Sequence, residues 1–220
     1  MPFQDRADAG RQLAQRLECF RGEDVVVYAL PRGGVPVAAP IAEMLKAPLD
    51  LALVRKVGAP QQPELAMGAI AEGTPPVILR NEDIIALCGV DDARFEKLCA
   101  RERKELERRR AAYLGERQRA DPFGRTAIVV DDGVATGATT RAALRAIRTL
   151  QPKRLILAVP VAPSDTLETL RPEVDALLCL ESYAAFSAIG AYYRDFRQIS
   201  DEEVIAILDR FAAPIPARQS

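Results

Sequence analysis

A short run of small and β-branched residues, Thr126 to Val130, is followed at once by two carboxylates, Asp131 and Asp132. A stretch this uniformly apolar reads as a strand covered on both faces, the kind found at the centre of a parallel sheet. Charges at its end then fall at the carboxyl edge of the sheet, where open α/β folds bind their ligands. Two neighbouring carboxylates there can accept hydrogen bonds from the vicinal hydroxyls of a ribose. The loop that follows, Gly133-Val134-Ala135-Thr136-Gly137-Ala138-Thr139-Thr140, has no bulky side chain after Val134. Its backbone N–H groups can close around an anion while Thr136, Thr139 and Thr140 add hydroxyl donors. Arg141 to Leu150 continues as a helix with apolar Ala142, Leu144, Ala146, Ile147 and Leu150, its positive end towards that anion. Asp-Asp-Gly alone would be an ordinary turn. Strand, acidic pair, Thr-Gly-x-Thr loop and helix in this order describe a socket for a phosphorylated sugar.

The rest of the chain repeats the alternation. Asp5 to Phe20 carries Ala9, Leu13, Ala14, Leu17 and Phe20 at helical spacing; Asp24 to Leu30 is a strand; Val35 to Leu45 is a crossover helix; Leu49 to Val54 is a second strand. Beyond the acidic pair come strands at Leu155 to Val161 and Val174 to Leu180, separated by a helix at about Ser164 to Leu170. Ser200-Asp201-Glu202-Glu203 is a capping box that opens a helix running to about Ala212. The expected fold is a doubly wound α/β domain with a mainly parallel sheet of about five strands and flanking helices. With 220 residues, 49% of them apolar, and no linker-like or repetitive stretch, one domain spanning 1–220 is expected. Its core would be about 1–58 and 124–181, its insertion about 59–123 and a small C-terminal hood about 182–220.

Other chemistries are set aside by what is missing. There is no G-x-x-x-x-G-K-[ST] and no G-x-G-x-x-G after a strand, so triphosphate and dinucleotide motifs are absent. Histidine is absent altogether, which removes a His-based triad and a His-ligated metal. Cys19, Cys88, Cys99 and Cys179 have no C-x-x-C spacing and read as reduced structural thiols. A net charge of −1 suggests no general affinity for nucleic acid or anionic membrane. Met1 to Gly10 is polar without an apolar targeting segment, and no run is long enough to span a bilayer, so a cytoplasmic location is expected.

The stretch from Ile128 to Thr140 resembles the phosphoribosyl-pyrophosphate (PRPP) motif of the type I phosphoribosyltransferases. The resemblance implies that Asp131 and Asp132 hold the ribose hydroxyls and that the loop from Ala135 to Thr140 holds the 5′-phosphate. Two further segments stand in family order. Pro31-Arg32-Gly33-Gly34, after the first strand, has glycines that let backbone approach a ligand and an arginine fork for phosphate oxygens, and it looks like the family's pyrophosphate loop. Alone it would equally be a turn with a solvated arginine. Arg55-Lys56, after the second strand, matches a basic pair that contacts pyrophosphate in family members; adjacent cations at a strand end would meet the same crevice. The family reaction is displacement at C1 of PRPP by a nitrogen, pyrophosphate leaving with help from Mg²⁺.

The middle of the chain departs from the family pattern. Where members commonly have a flexible loop, this chain has Glu64 to Ile70, a turn region and a long helix from about Asp91 to Arg119. The helix has a narrow apolar stripe of Phe95, Leu98, Cys99, Leu106 and Tyr113 among many arginines. It reads as solvated with ion pairs such as Glu105 with Arg109, as a basic lid over pyrophosphate, or as the arm of a homodimer. Phe186 to Phe196 gathers four aromatic rings and resembles the hood over the base in hypoxanthine-type members. By that likeness Phe186 would stack on the acceptor; otherwise Phe186, Tyr192 and Phe196 pin the C-terminal helix to the sheet. Some purine-using members have an aspartate where this chain has Ala135, which leaves acid–base help to Glu64, Glu181, Asp195 or no residue. The implied activity is transfer of 5-phosphoribosyl from PRPP to a small nitrogenous acceptor. A PRPP-sensing protein and a phosphoribosyl hydrolase are the alternatives on the same fold.

Overall fold

The computed structural model describes residues 2–62, 65–72, 76–115 and 117–211. The chain opens with α1 (Arg6–Arg16), β1 (Val25–Ala29), α2 (Gly34–Leu45) and β2 (Leu49–Leu51). It continues through β3 (Val54–Gly58), β4 (Ala66–Ala71), β5 (Val77–Arg80), α3 (Glu82–Leu87) and α4 (Asp92–Leu114). It ends with β6 (Thr126–Val130), α5 (Ala138–Thr149), β7 (Arg154–Pro163), α6 (Ser164–Leu170), β8 (Ala176–Tyr183) and α7 (Asp201–Asp209). Five strands form one parallel sheet in the order β2-β1-β6-β7-β8. The winding reverses between β1 and β6, so a crevice opens at their carboxyl ends.

Period-2 alternation splits the sheet's side chains between two cores. Val25, Val27, Ala29, Ile128 and Val130 face one way with residues of α1, α2, α4 and α7. Val26, Tyr28, Ala127, Val129, Leu155 and Leu157 face the other way with residues of α5 and α6. Every position of β1 and β6 is buried, as a doubly covered strand requires.

The second strand is shorter than its apolar run. β2 ends at Leu51 because its partner β1 ends at Ala29, the two residues being in register, and the last bond available is Ala52 N–H to the Ala29 carbonyl at 2.9 Å. The chain then turns away, and Val54 opens a separate antiparallel sheet, β3-β4-β5, slightly before the boundary near residue 58 read from the sequence. α4 covers this sheet, and its buried Phe95, Cys99 and Leu106 join Val57, Met67 and Ile70 in the larger core. It stops at Leu114 instead of continuing to Arg119, because Gly115 takes a positive φ of 52°. α1 likewise ends at Arg16, with a separate 3-10 turn at Glu18–Phe20.

α7 opens on the expected capping box: Ser200 Oγ accepts from Glu203 N–H at 3.2 Å, and Glu203 accepts from Ser200 N–H at 3.0 Å. It ends at Asp209, and Ala212 lies outside the described residues. Among the described residues no helix is long and apolar enough to cross a membrane.

Candidate functional site

The loops after β1 and β6 start side by side, since Ala29 pairs with Val130 and Leu30 N–H reaches the Val130 carbonyl at 2.9 Å. Pro31 to Gly34 then lies directly on the acidic pair. A Cβ at Gly33 would sit 1.9 Å from Asp132 Oδ2, and one at Gly34 would sit 2.7 Å from the Val130 carbonyl oxygen. Only glycine allows this approach. The Pro31–Arg32 peptide is cis.

The loop after the acidic pair is fixed from behind. Val134 N–H is already used by the Val161 carbonyl at 2.9 Å, so it is not a donor to a ligand. Thr166 Oγ1 donates to the Ala135 carbonyl at 2.9 Å. In a trans peptide the N–H points opposite to the C=O, so this bond aims Thr136 N–H away from α6. α5 begins three residues before Arg141, after Gly137 in the left-handed region at φ 74°. Gly137 brings no side-chain oxygen, whereas Asp5, Asn81, Asp91 and Ser200 cap α1, α3, α4 and α7. The first turn of α5, Ala138-Thr139-Thr140, therefore keeps uncapped N–H groups of the kind that hold anions. Thr136, Ala138 and Thr139 are exposed and Thr140 is buried.

The two carboxylates have different surroundings. Asp131 Oδ1 accepts from Asp132 N–H at 2.8 Å; desolvation and then the adjacent Asp132 charge hold its carboxyl well above the usual range. Asp132 is paired: Arg6 Nε donates to its Oδ2 at 2.7 Å, both side chains being nearly buried. The Tyr193 hydroxyl donates to the Asp132 carbonyl at 2.6 Å, and burial pushes that hydroxyl's pKa up. Neither Arg6 nor Tyr193 was expected from the sequence. A bond between residues 126 positions apart leaves no local pattern to read.

The cations are dispersed. Arg32 points to the side, 3.6 Å from Asp201 at the start of α7, which also accepts from the Tyr113 hydroxyl at 2.6 Å. Arg32, Arg108, Arg109, Tyr113 and Asp201 line a notch of about 200 Å³, so α4 does approach the Pro31–Arg32 loop. Arg55 and Lys56 do not stand at the end of a central strand; they lie within β3, where successive side chains point to opposite faces. Arg55 is held by Glu102 of α4 at 2.7 Å, whereas Lys56 lines a cavity of about 410 Å³ together with Thr136 and Thr139. One of the two cations, not both, shares a wall with the anion loop. Glu105 pairs with Arg109 at 3.1 Å, as the spacing predicts.

The segment after β8 folds into a small aromatic cluster. Phe186 stacks on Tyr192 at 5.0 Å and Tyr192 on Tyr183 at 4.8 Å, while Tyr193 packs on Phe3 and Phe196. One face of Phe186 is thus occupied within the hood, which rests on Val161 and α1. Of the carboxylates considered as bases, Glu181 accepts from the Tyr183 hydroxyl and Asp195 accepts from Arg197 N–H at 3.1 Å; Glu64 lies outside the described residues. Among the described residues no group of three or more metal-ligating side chains is present. The acidic pair, with one carboxylate neutralised by Arg6 and the other making no ion pair among the described residues, has the oxygen donors that suit a hard cation such as Mg²⁺.

Comparison with known proteins identifies the family. A protein of Mycobacterium tuberculosis, provisionally named a phosphoribosyl transferase in strains H37Rv and CDC 1551, is 47% identical over 208 residues, 94% of this chain. The match covers 46% of that protein, so the chain spans less than half of its length. The crystal structure of TT1426 from Thermus thermophilus has a TM-score of 0.84 at 41% identity, over 97% of this chain and 100% of that one. The sequence pattern of the phosphoribosyl transferase domain matches residues 4–196, which takes in both loops at the crevice and the Arg6–Asp132 pair behind them. The chain therefore belongs to the phosphoribosyl transferase domain family.

Proposed function

We propose that the protein transfers the 5-phosphoribosyl group from PRPP to a small planar nitrogenous acceptor and releases pyrophosphate. The observation that carries this reading is the contact of two loops at the switch point: Gly33 lies against Asp132, and the uncapped start of α5 lies beyond. A sugar bound by its hydroxyls at the acidic pair has its 5′-phosphate within the Ala135–Thr140 loop and its C1 side towards Pro31–Gly34. Asp131, with Asp132 behind it, accepts from the ribose hydroxyls. Thr136, Thr139 and Thr140 and the first-turn N–H groups hold the 5′-phosphate. Arg32 and Lys56 stabilise the departing pyrophosphate, for which Arg32 turns from Asp201, and Arg55 contributes through β3. A Mg²⁺ bound with PRPP would be held by Asp131 and substrate oxygens, and it supplies further neutralisation of the leaving group. Phe186 offers its outer face to the acceptor. Most of the protein's contribution is positioning and charge stabilisation.

Pyrophosphate release from PRPP and MgCl₂, screened against a panel of nitrogenous bases, tests this. Turnover with one base is the expected result. Calorimetric binding of PRPP without turnover would instead mark a sensor on the same fold. Turnover that survives Asp131→Asn with Asp132→Asn would sink the site.

A further inference from the structure

The second carboxylate of the acidic pair is enclosed on three sides. Arg6, 8% exposed at the first turn of α1, donates Nε to Asp132 Oδ2 at 2.7 Å and Nη1 to the Arg197 carbonyl at 2.9 Å. Its guanidinium also lies 3.9 Å from the centre of the Phe196 ring. Tyr193 fixes the Asp132 backbone from the hood, and Gly33 fills the space beside the carboxylate. Among the described residues Asp131 makes no ion pair; its carboxylate accepts the N–H of Asp132 at 2.8 Å and lies beside the Asp132 carboxylate. A guanidinium with two of its N–H groups committed to fixed oxygens, and one face on an aromatic ring, is pre-organised and does not swing to a ligand.

We propose that Arg6 is a positioning residue: it is the resident counter-cation of Asp132, withdraws that carboxylate from the ligand-binding set, and leaves Asp131 alone to meet the ribose or its accompanying divalent ion. The inference rests on reading the crevice as a PRPP site. It divides a motif of two equivalent acids into one that binds and one that orients. It also joins the sugar end of the crevice to the hood, because the same guanidinium touches Asp132, the Arg197 carbonyl and Phe196. Without Arg6 the two neighbouring carboxylates would have no cation paired with either among the described residues. Such a pair attracts divalent ions by itself.

The test is Mn²⁺ binding to the free protein, followed by electron paramagnetic resonance, with thermal melting in MgCl₂ or in NaCl of matched ionic strength. Wild-type protein without PRPP is expected to bind Mn²⁺ weakly and to melt at the same temperature in both salts. Arg6→Met is expected to melt lower, to bind Mn²⁺ about tenfold more tightly, as removal of one adjacent unit charge implies, and to recover part of its melting temperature in MgCl₂ alone. Arg6→Met with Asp132→Asn removes both charges and should lose the Mg²⁺ response. Arg6→Lys keeps the charge and should retain the wild-type response.

A merely structural ion pair would lower the melting temperature without any of these ion effects. Equal Mn²⁺ affinity in wild type and Arg6→Met, or Arg6→Lys behaving as Arg6→Met, overturns the proposal. Where Arg6→Met does not fold, PRPP titrations decide: Asp131→Asn should weaken binding far more than Asp132→Asn, and equal losses overturn the division of roles. Should wild-type protein fail to bind PRPP, the proposed function fails, while the Mn²⁺ titrations still decide the role of Arg6.

Discussion

Replacing Gly33 with alanine probes the contact on which the crevice depends. The new Cβ would lie 1.9 Å from Asp132 Oδ2 and 2.5 Å from its Cγ, although real Cβ contacts essentially never fall under 3.0 Å. Something must move by about 1 Å to relieve the overlap. Asp132 resists, because Arg6 holds its carboxylate at 2.7 Å and Tyr193 its carbonyl at 2.6 Å. Swinging the carboxylate away breaks a buried ion pair, at about 3–5 kcal/mol. Shifting the Pro31–Gly34 backbone instead is overpacking, at about 1–3 kcal/mol. The less costly response is therefore a displaced loop and a stability loss of about 1–3 kcal/mol. Displacing a positioning element by that distance lowers turnover by about 10²-fold. Gly89→Ala is the control: φ is +61° and nothing lies within 4 Å, so only backbone strain of about 1–2 kcal/mol is added, away from the crevice. Urea unfolding and pyrophosphate release for both variants separate the effects. Gly33→Ala turning over PRPP as well as Gly89→Ala does would refute the reasoning.

Three smaller perturbations follow from the same geometry. Thr166→Val removes the donor to the Ala135 carbonyl, a bond worth about 0.5–1.5 kcal/mol. The KM for PRPP should rise about threefold to tenfold with kcat nearly unchanged, and an unaltered KM would detach Thr166 from the anion loop. Hydrogen bonds from Arg108 and Arg109 hold Glu105 down at about 2. A depressed carboxylate stabilises the fold above the ordinary glutamate range and loses that effect as pH falls towards the folded value. The stability difference between wild type and Glu105→Gln should thus be flat near neutrality and shrink between about pH 4 and 2; a difference that stays flat throughout contradicts the pairing. Burial pushes the Cys179 thiol up to about 11 and raises that of Cys99, whereas Cys19 is exposed. Iodoacetamide near neutral pH should label Cys19 first, which peptide mass mapping would show, and equal labelling of Cys179 would contradict its burial.

Lys56 and Arg55 show where local reading stops. Their adjacency is plain in the sequence, and so is the apolar run before them. What sends them to opposite faces is the length of β1: it ends at Ala29, so β2 has no partner past Leu51 and the pair falls into a hairpin with period-2 alternation. Arg32 is similar. Its loop was legible from Pro31-Arg32-Gly33-Gly34, but its nearest acidic partner, Asp201 at 3.6 Å, comes from 169 positions further along the chain.

Features under short-range control are readable from the order of residues. A doubly covered strand from Thr126 to Val130, an acidic pair at its end, a small-residue loop, the α6 helix over 164–170 and the Ser200 capping box all follow from residues within a few positions of one another. So did the winding, because strands and helices alternate and parallel crossovers leave few topologies. The difference between the two carboxylates arises from packing of distant segments. Asp131 and Asp132 are the same residue type in the same motif, yet Arg6 and Tyr193, brought in from the two ends of the chain, bind one, while the other makes no ion pair among the described residues. Long-range pairing depends on how α1 and the hood dock against the sheet, and docking is a property of whole packed faces that no local window contains.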